Sequence, residues 1–251
     1  MARAGAAERL KQRVQAGQAA LAAGKLDEAV SEWSAALRSA QRLAAPEALQ
    51  TTLRNNLAGL HHALGRRSQA RRIYEQALAG AERQHGPESQ SVATILNNIA
   101  ELERSGGEAA RAEPLFRRAV AILEKQPDAA RTQLASVLAN TAECLRDHGQ
   151  LDEASALNSR ALSILESEDT VAHGPIGVLL NNMAQIREQR GDYREAEALY
   201  ERATSLLTQA GAPFDAQRRT ALANYAAALR KHAAAMEQGI GQGAASTTAR
   251  D

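Results

Sequence analysis

Aromatic side chains make up only 3% of this 251-residue chain, so large ring anchors are scarce and small residues must do much of the packing. Cysteine occurs once, at Cys144, which excludes an intramolecular disulfide and a multi-thiol metal cluster. A reducing, cytoplasmic setting is the expectation, with an organellar one as the alternative. No long uncharged apolar run is present, so membrane insertion is not expected. Neither sign of charge dominates: 30 basic and 29 acidic residues leave a net charge of +1, which gives no general attraction to nucleic acid or acidic membrane. The first 13 residues lack the apolar stretch of a secretory signal, although Arg3, Arg9, Lys11 and Arg13 give a mitochondrial presequence weak support.

Catalytic signatures are lacking too. There is no P-loop, no GxSxG elbow and no HExxH helix. The six histidines (His61, His62, His85, His148, His173 and His232) show no ligand spacing and read as satisfied or solvent-facing. Cys144 falls on the apolar side of a helical pattern and reads as a small core residue, not a nucleophile. The expectation is a non-enzymatic protein with neither metal nor cofactor.

What is present is a repeat. Gly65, Gly107, Gly149 and Gly191 stand 42 residues apart, and Gly24 lies 41 before Gly65. Even spacing of this kind belongs to stacked equivalent units, each showing the same face to the next. Small residues recur in register: Gly17, Ala29 and Ala36, then Ala58, Ala70 and Ala77, then Ala100, Ala112 and Ala119. Ala142, Ala154 and Ala161 follow, and then Ala184, Ala196 and Ala203. Four residues after the middle one comes a bulky side chain, Trp33, Tyr74, Phe116 or Tyr200, in a series that Asn158 breaks.

Each unit reads as two antiparallel helices, A and B, with the glycine as the left-handed stop that ends helix A. Pro46, Pro87, Pro127, Pro175 and Pro213 are expected between a helix B and the next helix A, and Pro114 inside a B helix with a local bend. The pattern predicts an all-α solenoid, a right-handed superhelix of five helix pairs. The expected boundaries are an extension at 1–6, repeats at about 7–43, 47–85, 89–126, 130–168 and 172–210, a capping helix at 215–238 and a disordered tail at 239–251.

The small-residue triplets and the aromatic on helix B resemble the tetratricopeptide repeat. That family's usual period is 34. The longer period here, with LNNIAEL (Leu96 to Leu102), LLNNMAQI (Leu179 to Ile186), AEPLFRRAVAI (Ala112 to Ile122) and HGPES (His85 to Ser89), resembles the kinesin-light-chain type. The long amino-terminal coiled coil of kinesin light chains has no counterpart before the first unit, since no heptad run stands there.

The resemblance implies stacked pairs whose A helices line a concave groove, and a protein or peptide partner held in it. Asparagines recur at that wall: Asn55 and Asn56, Asn97 and Asn98, Asn140, Asn181 and Asn182, and Asn224. Asparagine inside a helix costs roughly half a kcal/mol relative to alanine, so its recurrence suggests a shared task. An amide carries both donor and acceptor and can pair with any extended backbone. The first of each pair, Asn55, Asn97 and Asn181, is expected to face the groove. The second is as readily explained by bonds between helices. One turn further on stand Glu101, Arg104, Glu143, Arg146, Gln185 and Glu188, of mixed sign. Family members that grip chaperone carboxyl tails use Lys and Arg at positions held here by Thr52, Asn55, Thr94, Asn97, Ser136 and Ala139. That clamp is absent, so chaperone tails are not the expected partner. The alternative is a structural subunit or assembly factor that uses its edges or convex face.

Overall fold

At the end of each A helix the chain turns on a glycine in the left-handed region. In a computed structural model, Gly24, Gly65, Gly107, Gly149 and Gly191 have φ between 71° and 82°. The same pair of backbone bonds closes each end. At Gly65, the Gly65 N–H donates to His62 O at 2.8 Å and the Arg66 N–H to His61 O at 2.8 Å. This Schellman pairing satisfies carbonyls that a helix terminus leaves unpaired. A β-carbon at any of the five glycines would meet nothing within 4 Å, so backbone conformation selects glycine there, not crowding.

The backbone is described for residues 2–126, 130–167 and 172–248, and side chains for 5–126, 130–167 and 172–237. Among the described residues there are eleven α-helices and no strand. The chain divides into two compact units, residues 1–130 and 131–251. Unit 1 holds three hairpins: α1 (Ala2–Ala22) with α2 (Leu26–Arg42), α3 (Glu47–Ala63) with α4 (Arg67–His85), and α5 (Gln90–Ser105) with α6 (Ala109–Glu124). Within it, α2 stacks on α3 and α4 on α5. Unit 2 holds α7 (Arg131–Asp147) with α8 (Leu151–Glu166), α9 (His173–Gln189) with α10 (Tyr193–Ala210), and α11 (Asp215–Thr248) against α10.

Alanine makes the close approach of A and B possible. All fourteen alanines of the repeat triplets have 0% exposure. On α2 the buried residues Ala29, Trp33, Ala36 and Ala40 follow steps of four, three and four, an apolar stripe along one side of the helix. Gly17 takes the alanine's place in the first hairpin because Trp33 lies across it; a β-carbon there would come within 2.3 Å of the indole. The Trp33 Nε1–H donates to Val14 O at 3.2 Å. Trp33 therefore packs back on its own helix A, whereas Tyr200 also stacks on Tyr225 of the following helix at 5.9 Å.

Several expectations change. Helix α1 starts at Ala2, so residues 2–6 of the expected extension are part of the first helix, and Met1 lies outside the described residues. Helix α11 runs on past Gln238 to Thr248. Gly239, Gly241 and Gly243 lower helix propensity there, but no proline interrupts the backbone. The expected disorder of 239–248 is thus not the state found, and 249–251 lie outside the described residues. Pro175 sits in the first turn of α9, where its missing N–H has no intrahelical partner to lose. Pro127 lies outside the described residues. Pro114 stands within an unbroken α6. Ala44 takes up the left-handed stop after α2 with φ 48° and closes the same bond pair, Ala45 N to Ala40 O at 2.8 Å. No helix of the described residues is long and apolar enough to cross a membrane.

Candidate functional site: two clefts along the A helices

The asparagines form ladders between neighbouring A helices. In unit 1 the Asn98 Nδ2–H donates to Asn55 Oδ1 at 2.9 Å, from α5 to α3. In unit 2 the Asn224 Nδ2–H donates to Asn181 Oδ1 at 3.0 Å, from α11 to α9. The Asn182 Nδ2–H donates to Glu143 Oε1 at 2.6 Å, from α9 to α7. Within helices, Asn97 donates to Asn98 at 3.5 Å and Asn181 to Asn182 at 3.3 Å. Much of the amide capacity is therefore spent on setting one A helix against the next. Among the first-of-pair asparagines, Asn181 is only 8% exposed, its oxygen turned to Asn224. Asn55, Asn56, Asn97, Asn98, Asn140 and Asn224 are half-buried.

Side chains from these helices gather round two clefts, one in each unit. The unit 1 cleft is about 400 Å³. Its polar edge is Asn55, Asn56 and Asn98, and its apolar walls are Leu21, Leu26, Trp33, Leu60, Ala63 and Tyr74. Leu21 is 42% exposed, an uncovered leucine at the cleft. Burial pushes the Tyr74 phenol up to about 12, so it remains a neutral donor. Gly59 lies in the same wall, and a β-carbon there would make only an ordinary 3.5 Å contact with the Tyr74 hydroxyl.

The unit 2 cleft, about 390 Å³, is different in kind. Glu143, Arg146, Asn181, Asn182 and Gln185 face Val178, Leu207, Ala216, Gln217 and Thr220. Its charges are mutually engaged. Arg146 donates to Gln185 Oε1 on α9 and to Asp147 Oδ1, the latter at 2.8 Å, and Glu143 accepts from Asn182. Nearby, Glu188 accepts from the Tyr200 hydroxyl at 2.9 Å and from Lys231 of α11. Burial, and after it the bond to Glu188, pushes the Tyr200 phenol well up; the same carboxylate raises Lys231.

Of the residues marked by sequence, Asn55, Asn56 and Asn98 meet at one cleft, and Glu143, Arg146, Asn181, Asn182 and Gln185 at the other. Glu101 and Arg104 close on each other through two bonds of 2.8 and 3.0 Å. Asn97, Asn140 and Asn224 line neither cleft. The apolar half of the first cleft was missed. Gly59 carried the signal, a glycine inside a helix with no turn to make. Cys144 is fully buried, as its position on the apolar side implies. His61 departs from its expected satisfaction: it is 9% exposed and its Nδ1 has no partner, and burial, then Arg66, lowers its pKa.

Residues 13–83, 48–125, 91–167 and 179–211 match models of the tetratricopeptide repeat. No curated protein matches the chain. Among solved structures, BtubC (BKLC) from P. vanneervenii is similar, with 24% identity over 84% of this chain and 91% of its own, and a TM-score of 0.66. A Podosopora anserina protein described as kinesin light chain, with nearly identical TPR-like repeats, has 19% identity over 81% and 97%, and a TM-score of 0.64. A Rap protein complexed with Competence and Sporulation Factor has 14% identity over 80% of this chain and 54% of its own, and a TM-score of 0.68.

Proposed function

Because the chain belongs to the tetratricopeptide repeat family, in its kinesin-light-chain-like form, we propose that it is a non-enzymatic interaction scaffold that binds a partner segment along its A helices. The observation that carries this reading is the unit 1 cleft, where an apolar pocket floored by Trp33 and Tyr74 lies beside half-buried amides. That pairing suits an extended or helical peptide: one apolar side chain enters the pocket while Asn55 and Asn56 bond its polar backbone. The Rap neighbour, complexed with Competence and Sporulation Factor, supports the capture of a second molecule as a use of this fold. A preformed wall leaves most of the ordering cost to the partner. The unit 2 cleft, whose charges are already paired, suits a more polar segment.

The alternative, a fixed subunit using its B-helix face, has less support. In unit 1 three B-helix arginines are tied up within the chain, Arg71 to Glu103, Arg117 to Glu113 and Arg118 to Glu82.

The test uses Trp33, the chain's one tryptophan, as a reporter in the pocket. Peptides selected from a random displayed library on the intact protein should share an apolar residue and shift Trp33 emission. Gly59→Met should fill the pocket and weaken those peptides at least roughly tenfold. Its melting temperature should hold or rise, since replacing a mid-helix glycine is worth about 0.5–1 kcal/mol. A selection that enriches no peptide, or peptides indifferent to Gly59→Met, would overturn the groove reading.

A further inference from the structure

Helix α11 occupies the place of a sixth A helix. Its Asn224 bonds Asn181 as Asn98 bonds Asn55, both over a separation of 43 residues. Tyr225 stacks on Tyr200, and Ala221 and Ala228 are fully buried. No B helix follows it among the described residues, and the adjoining side of α11, about 100° round from Ala221 and Ala228, shows the consequence. Leu222, Leu229 and Met236 are 48%, 44% and 54% exposed, three of the four large apolar side chains left uncovered among the described residues. The positions 42, 84 and 126 residues before Leu222 are Leu180, Leu138 and Leu96, each at 0% exposure. Those before the exposed Ala226 are Ala184, Ala142, Ala100 and Ala58, also at 0%. In complete hairpins this face lies under an antiparallel helix. On α11 it is bare.

The occupant is specified by what covers the other A helices. Every B helix presents alanines seven residues apart: Ala29 and Ala36, Ala70 and Ala77, Ala112 and Ala119, Ala154 and Ala161, Ala196 and Ala203. Helix α11 carries such a pair on its own uncovered face, Ala226 and Ala233, alternating with Leu222, Leu229 and Met236 in steps of four and three. That is the narrow 3.5-residue seam of a helix made to pair with another helix. We propose that this face is covered by the α11 of a second copy of the chain, running antiparallel, so that each copy supplies the other's missing B helix.

The seam is self-complementary in that arrangement. With the two-fold axis between residues 227 and 228, Leu222 stands opposite Ala233 of the other copy and Ala226 opposite Leu229. Each of the four layers then sets one large residue against one small one. Beyond the layers, Glu237 of one copy comes level with Arg218 of the other, and Met236 with the aliphatic stem of Arg219. The interface is isologous and closes on itself.

A contact made by one helix pair falls in the small, reversible class, below about 1,200 Å². Sedimentation velocity of the full chain from about 1 μM to 1 mM should therefore show monomer passing to dimer. Leu229→Glu lies on the bare face and should leave the monomer's helicity intact while moving the midpoint at least roughly tenfold upward. Chains carrying Leu222→Cys mixed with chains carrying Ala233→Cys should form the mixed disulfide dimer under oxidation, and neither variant alone should cross-link efficiently. A chain monomeric throughout, leaving the face to another protein's helix, overturns the proposal. So does a dimer that survives Leu229→Glu, or homodisulfides that show a parallel pair. Peptide binding reported by Trp33 is read separately and should be unchanged in Leu229→Glu, so the failure of either reading is recognisable by itself.

Discussion

The two units build their clefts round three shared A-helix positions, those of Asn55, Asn56 and Gly59, and reach different chemistry. In unit 1 the amide ladder runs beside Trp33, Tyr74 and Leu60, and the pocket is apolar with a polar edge. In unit 2 the ladder joins Glu143, Arg146 and Gln185, and the cleft sets charges that are already paired beside Val178 and Leu207. The repeat thus holds the helix spacing constant while the residues between its fixed positions vary the surface. The B-helix aromatic position shows the same divergence in the core. Unit 1 places Trp33, Tyr74 and Phe116 there, whereas unit 2 places Asn158 and Tyr200. Asn158 is 1% exposed, and neither atom of its amide has a partner.

The strongest way to break this contrast is Trp33→Ala. It removes the indole from Gly17 and Val14 and should cost unit 1 about 3–5 kcal/mol, as large-to-small core changes do. Hydrogen exchange should accelerate in α1–α4 and stay near wild type in α8–α10. The converse change is Asn158→Leu, which replaces an orphaned amide with an apolar side chain. Unit 2 should gain about 1–3 kcal/mol, seen as slower exchange in α7–α9; equal or faster exchange would mean that the amide is satisfied in solution.

Ala44→Gly should be worth about 1 kcal/mol to unit 1, because an L-alanine at φ 48° is strained where glycine is not. A denaturant midpoint that does not rise would count against the strain. The smallest effect separates the units by pH. The His61 pKa lies below its ordinary 6.5, by burial first and Arg66 second. As pH falls through 6.5 the unfolded chain takes up the proton before the folded one, so stability is full above that pH and declines below it. Leu145, at 0% exposure, and Arg187 hold the equivalent places in unit 2. His61→Leu should therefore flatten the decline of unit 1 stability below about pH 6.5. An unaltered slope would assign the decline to other groups.

The hairpins were readable in advance because they rest on residues with few alternatives. A left-handed turn needs glycine, and a tight seam needs alanine, so their spacing gave the turns and the packed faces directly. The asparagines were less readable. Register places an amide on a helix face but not toward the cleft or the neighbouring helix, and Asn181 and Asn182 turned to their neighbours. The apolar pocket escaped notice because Trp33 and Tyr74, though they share the B-helix register, close on Leu21, which stands on another helix and outside that register. Ala44 was invisible for the opposite reason: nothing in alanine's chemistry marks a left-handed turn.

The bonds that join neighbouring hairpins reach only one repeat along the chain, as in the 39-residue step from Asn182 to Glu143 and the 43-residue step from Asn98 to Asn55. A segment excised from one left-handed glycine to the next therefore carries one half of each such bond and meets the other half on the adjoining repeat. Such a cassette could be duplicated or deleted in whole-period steps without redesigning its neighbours, and the length of the protein becomes a quantity that can be engineered by counting turns.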